Sequence, residues 1–93
     1  MIVRTVLGDV APESLGWTLG HEHLIARPPA TVEDDDLRLE DEDAATRELA
    51  AFRDAGGGAL VEMTTVDYGR DVAALAGLAE RTGVRIVAAT GFN

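Results

Sequence analysis

The 93-residue chain contains no cysteine. That excludes a disulfide framework, a thiolate metal site and a cysteine nucleophile, and gives no reason to expect export to an oxidising compartment. Lysine is missing too: the eight basic residues are Arg4, Arg27, Arg38, Arg47, Arg53, Arg70, Arg81 and Arg85. Set against 17 acidic residues they leave a formal charge of −9, which offers no electrostatic footprint for nucleic acid or for an anionic membrane surface. No apolar run approaches the roughly 18 residues of a membrane span. Met1-Ile2-Val3-Arg4-Thr5 also lacks the basic stretch and apolar core of an export signal, so a cytoplasmic protein is the expectation. Histidine is scarce, with His21 and His23 the two in the chain.

What is present is ordinary for a chain that folds. Hydrophobic residues make up 46% and charged residues 27%, too apolar for wholesale disorder. A chain of this length buries one modest core at most. Ile2 to Leu7 is a β-rich run ending at the turn pair Gly8-Asp9, with Val10-Ala11 returning, and Pro12 to Gly16 reads as a tight turn. Residues 1–16 are therefore expected to form an N-terminal β-hairpin. From Trp17 to Leu24 the residues alternate, which predicts a strand with Trp17, Leu19, His21 and His23 on one face.

Ala26 to Asp36, with Pro28, Pro29 and a run of acids, is expected to be a loop. A helix is predicted over 40–55, because Ala45, Leu49 and Phe52 fall at i, i+4 and i+7 and four acids crowd its first turn. Gly56-Gly57-Gly58 should stop it. Ala59 to Met63 has the length and apolarity of a strand covered on both faces. A second helix is predicted over 69–82 from the spacing of Val72, Leu75, Ala76 and Ala79, closed by Gly83, and Arg85 to Ala89 reads as a further buried strand.

Strands alternating with helices imply βαβ crossovers and a parallel sheet, so the class is α/β, with residues 17–93 forming a βαβαβ unit. The last strand is expected to keep an unpaired edge through which copies of the chain can self-associate.

His21-Glu22-His23 is the motif that points to chemistry. Alternate residues on a strand project from one face with side-chain origins roughly 6 to 7 Å apart, and imidazoles so placed can converge on a divalent ion about 2.0 to 2.1 Å from each nitrogen. The bland alternative is a pair of surface or core histidines with satisfied hydrogen bonds, and the motif alone does not decide between them.

At this point the chain resembles a known family. Val3-Arg4-Thr5-Val6-Leu7-Gly8, Gly16-Trp17-Thr18-Leu19-Gly20-His21-Glu22-His23-Leu24, Gly57-Gly58-Ala59-Leu60-Val61-Glu62-Met63-Thr64-Thr65, Gly69-Arg70-Asp71 and Thr90-Gly91-Phe92 look like the amino-terminal part of the phosphotriesterase family, which includes the phosphotriesterase-like lactonases of the amidohydrolase superfamily. The resemblance implies the N-terminal part of a (β/α)8 TIM barrel, with about three barrel strands present. It implies a metal-dependent hydrolase with two divalent ions, zinc or similar, whose metal-bound hydroxide attacks a small-molecule phosphoester or lactone. His21 and His23 match the family's first pair of metal ligands. The bridging carbamylated lysine, two further histidines and an aspartate have no counterpart here, since the chain holds no lysine and no third histidine. No catalytic residue is therefore assigned, substrate-binding residues stay unknown, and Asn93 departs from the aromatic residue expected after Gly-Phe. Two other readings stay open: a catalytically inactive piece that self-associates, and a small module in which histidines of two copies share a metal.

The remaining polar residues carry blander expectations. Glu22 should point away from the histidines and be structural. Glu62 is read either as a carboxylate that orients a metal ligand or as the buried partner of an arginine. Thr64, Thr65 and Asp67 read as loop and cap residues, Arg70-Asp71 as a structural pair at a helix start, and Glu33-Asp34-Asp35-Asp36 as a solvated acidic loop without the spacing of a calcium site.

Overall fold

The structure, a computed structural model, describes residues 1–31 and 38–90; the acidic stretch Glu33–Asp36 and residues 91–93, with Asn93, lie outside them. Strand β1 (Val3–Thr5) pairs antiparallel with β2 (Gly8–Val10), forming the expected hairpin. Its turn is Val6-Leu7, not Gly8-Asp9, which belong to β2. The Thr5 hydroxyl sets that turn, donating to the Gly8 carbonyl at 2.6 Å and accepting from Leu7 N–H at 3.2 Å. Val6 is free to face inward, where it packs against the core.

A single 3-10 turn, Pro12–Ser14, leads into β3 (Trp17–Glu22). Strands β3, β4 (Gly57–Glu62) and β5 (Arg85–Ala88) form a parallel sheet in that order, joined by helices α1 (Glu42–Asp54) and α2 (Val72–Thr82). The helices pack together on one face, where Leu49, Leu75 and Leu78 meet Leu60 of β4 and Ile86 of β5 in a fully buried cluster. Each such aliphatic side chain contributes about 1.5 to 3 kcal/mol of burial. The helical spacing predicts Leu49, Leu75 and Ala79 on this face; Leu78 lies outside the predicted series, and Val72, which belongs to it, is exposed.

Both helices begin slightly later than the spacing suggests, because each waits for an aspartate cap. Asp41 accepts from Ala44 N–H and Asp71 from Ala74 N–H, both at 3.0 Å, each cap adding roughly 1 kcal/mol. A 3-10 turn over Val66–Tyr68 occupies the stretch before α2. Strand β4 begins earlier than expected: Gly57 and Gly58 are strand residues and not a stop. Glycine is required at 58 because a Cβ there would strike the Leu15 carbonyl oxygen, so its absence lets the segment before β3 lie against β4.

The edge of β5 is not wholly bare, since Ile86 O accepts from Val6 N–H at 2.9 Å. The hairpin thus covers part of the edge expected to stay open. Strand β3 pairs with β4 alone among the described residues and is exposed along most of its length. No helix among the described residues is long and apolar enough to cross a membrane.

Candidate metal site

His21 lies within β3 and His23 just beyond its C-terminal end, both exposed. Simple alternation does not hold over the whole strand. The register against β4 slips by one residue between Trp17 and Thr18, and again between Leu19 and Glu22. Leu19 partners Leu60, which belongs to the helix-facing core, so Leu19 lies on the helix side and not beside the histidines as the alternation predicts. The two imidazoles nonetheless stand together, with ring centres 5.3 Å apart and planes inclined at 67°. An ion 2.0 to 2.1 Å from a ring nitrogen lies roughly 3 Å from that ring's centre, so rings this close can share one ion.

The surroundings of His23 come from the end of β4. Its Nδ1 lies 2.9 Å from the Thr64 hydroxyl, and Thr64 is only 1% exposed. The neighbouring carboxylate of Glu62, also 1% exposed, accepts three main-chain N–H bonds: Thr64 at 2.7 Å on one oxygen, Leu24 at 3.1 Å and Ile25 at 3.2 Å on the other. A buried carboxylate is tolerated when charge-assisted hydrogen bonds of this kind satisfy it. Glu62 therefore ties the chain leaving β3 to the chain leaving β4. No arginine pairs with it among the described residues, which removes one of the two readings made from the sequence.

Thr64 lies in the loop after β4 as expected, but its contact with His23 spans 41 positions, beyond the reach of any local pattern. Thr65 and Asp67 behave as expected, bonded to each other at 2.7 Å. Asp71 caps α2 and pairs with Arg27 at 3.3 Å, while Arg70 donates to the Ala89 carbonyl at 2.8 Å. Both are structural, though not as a pair with each other. Around His23 a small hollow opens toward Leu24, Arg38, Glu40, Asp41 and Glu48. Among the described residues no group of three or more histidines or acids could hold a metal, so the two imidazoles supply only part of a ligand set.

Comparison with known proteins sets this arrangement in context. The profile of the phosphotriesterase family matches residues 1–93. The lactonase Lmo2620 of Listeria monocytogenes superimposes with a TM-score of 0.92 at 41% identity, over 100% of this chain and 29% of that one. The organophosphorus hydrolase of Deinococcus radiodurans gives 0.83 at 40% identity, over 99% of this chain and 29% of its own. N-acetyltaurine hydrolase of Xenopus tropicalis is 38% identical across 97% of this chain and 34% of its own length. The chain thus spans about a third of the curated relatives it matches, and its three parallel strands, preceded by the hairpin, are the N-terminal part of a TIM barrel. It belongs to the phosphotriesterase family.

Proposed function

We propose that the chain supplies the first two metal ligands, His21 and His23, of a metal-dependent hydrolase that cleaves a small-molecule lactone or phosphoester. The observation that carries this reading is the pair of imidazole rings held 5.3 Å apart at the C-terminal end of a parallel strand, the end of a barrel sheet at which active sites are built. Neutral imidazoles are good donors to zinc and similar divalent ions. Such an ion, when bound, supplies Lewis acidity and activates water. The part played by this chain is to present two donors from one strand, with the Nδ1 side of one ring occupied by Thr64.

Kinship supports this substrate class, since the relatives are named for a lactone, an organophosphorus compound and N-acetyltaurine. All three are attacked at a carbonyl or phosphoryl centre, and the ester and lactone class fits two of them. The test is hydrolysis by the protein that carries this chain, assayed against a lactone, a phosphotriester and an N-acyl amide, after chelation and after metal is restored. Activity that needs metal and disappears in His21→Ala supports the proposal. Full activity after exhaustive chelation defeats it.

A second reading, self-association, is favoured by one observation. Trp17 on β3, which among the described residues pairs on one side only, is 81% exposed, an unusual position for a tryptophan. Light scattering of this chain distinguishes a monomer from a defined oligomer, and a zinc titration saturating at one ion per two chains would indicate histidines shared between copies.

A further inference from the structure

We infer that Thr64 is a positioning residue: its hydroxyl holds the Nδ1 side of the His23 ring and so makes Nε2 the atom through which His23 binds a metal ion. The inference rests on the metal-site reading above and extends it to the individual nitrogen. The Thr64 oxygen stands 2.9 Å from Nδ1, and that threonine is buried whereas the histidine is exposed. One ring nitrogen is therefore engaged with the protein interior, and the other is left for a ligand.

A hydroxyl suits this position for a chemical reason. A neutral imidazole carries its proton on one nitrogen and a lone pair on the other. If the proton sits on Nε2, Nδ1 is an acceptor and the hydroxyl can donate to it. Once an ion takes Nε2, the proton must reside on Nδ1, and the hydroxyl can then accept. Threonine offers both a donor and acceptor lone pairs at one oxygen, so the ring keeps its orientation through that exchange. Valine has nearly the same shape and can do neither.

The oxygen is itself well anchored. Glu62 accepts the Thr64 N–H on one carboxylate oxygen, and on the other the N–H groups of Leu24 and Ile25, the residues that directly follow His23. One buried carboxylate thus fixes both the backbone that carries the ring and the backbone that carries the hydroxyl. Holding both halves of a contact in advance is what keeps a metal ligand in its binding orientation before the ion arrives.

The test uses the isotope-labelled chain with zinc chloride as the probe, comparing wild type, Thr64→Val and Thr64→Ser. With zinc bound, the nitrogen spectrum of His23 is expected to show Nε2 ligated and a proton on Nδ1 that exchanges slowly with water. Thr64→Val should make that proton exchange fast and weaken zinc binding by about tenfold or more, the usual consequence of removing such a partner. Thr64→Ser, which keeps the hydroxyl, should restore both, and it separates loss of the contact from loss of folding. Ligation through Nδ1, or zinc affinity and proton exchange unchanged in Thr64→Val, overturns the inference. A wild-type chain that takes up no zinc, while its His23 resonances still shift in Thr64→Val and not in Thr64→Ser, would sink the metal-site reading and leave the hold on the ring standing.

Discussion

Strands β3 and β4 are neighbours of equal length, parallel and hydrogen-bonded to each other, yet they live in opposite environments. Nearly all of β3 is exposed, whereas β4 buries Ala59, Leu60 and Glu62. The difference lies in coverage: β4 has a strand on each side and the helix-packed core over it, while β3 has a partner on one side only among the described residues. The division extends to chemistry. The chain of the exposed strand carries His21 and His23, and the chain leaving the buried one carries Glu62 and Thr64, which bond the backbone after His23 and the His23 ring. The proposed metal site would need an accessible ligand with a rigid support, and adjacent strands would provide one each.

The contrast is broken most severely in the core. Leu60→Ala on β4 should destabilise the chain by about 2 to 5 kcal/mol, because it opens a cavity among Leu49, Leu75 and Ile86. The equivalent truncation of its register partner, Leu19→Ala on β3, should stay within about 0.5 kcal/mol, as exposed positions do. Thermal or denaturant unfolding of the two variants measures the gap directly. Equal losses would mean that β3 is covered in solution by something that buries Leu19.

Next in size is the loss of a proposed metal donor. His21→Ala should weaken zinc binding by at least about a hundredfold, since even the partners of metal ligands contribute tenfold to a hundredfold. The same variant should leave the unfolding midpoint almost unmoved, because the side chain is exposed. Calorimetric titration beside a melting curve checks both halves. A variant that binds zinc normally, or that melts much earlier, would erase the division between exposed donor and buried support.

The elements were legible in the sequence because helices and strands follow local periodicity, and the spacing marked Leu49, Leu75 and Ala79 of the buried face, though it included the exposed Val72 and passed over the buried Leu78. What local pattern missed was set by contacts between distant residues. Gly8-Asp9 has turn chemistry, but the chain turns at Val6-Leu7 because Val6 reaches the core and bonds Ile86, eighty positions away. Gly57 and Gly58 read as a stop, yet the first lies under the Phe52 ring and the second against Leu15, inside a strand. The histidine pair was visible as a motif, but the irregularity of its strand was not. Alternation along β3 is interrupted between Leu19 and Glu22, yet the two rings, two residues apart, stand together. Thr64 could not be found at all, since nothing in Met63-Thr64-Thr65 indicates that a histidine 41 positions earlier will meet it.

A smaller effect sharpens the account of the support. Glu62→Gln keeps size and shape but replaces one acceptor oxygen with an amide nitrogen, which faces main-chain N–H groups on whichever side it lies. The expected cost is about 1 to 3 kcal/mol, that of leaving buried hydrogen-bonding groups unsatisfied. Amide hydrogen exchange should quicken either at Thr64 or at Leu24 and Ile25 together, according to the side the nitrogen takes. If none of the three responds, the carboxylate does not link the two strand ends.

The smallest effect belongs to the hairpin, where charge is fully exposed. Arg4 bonds Asp9 across β1 and β2 at 2.9 and 3.1 Å, and this hydrogen bonding holds the Asp9 carboxyl below the ordinary aspartate range. A carboxyl whose pKa is lowered by folding adds stability above its unfolded value, near 4, and the gain fades as pH falls through the lower folded value. Asp9→Asn should therefore melt slightly below wild type at pH 7, with the gap closing as both are acidified below about pH 4. Exposed pairs are screened by water and salt, so the gap at pH 7 should also shrink in 1 M sodium chloride. A large gap that persists in acid and salt would assign Asp9 a packing role, and the hairpin would then belong with β4 as part of the rigid support.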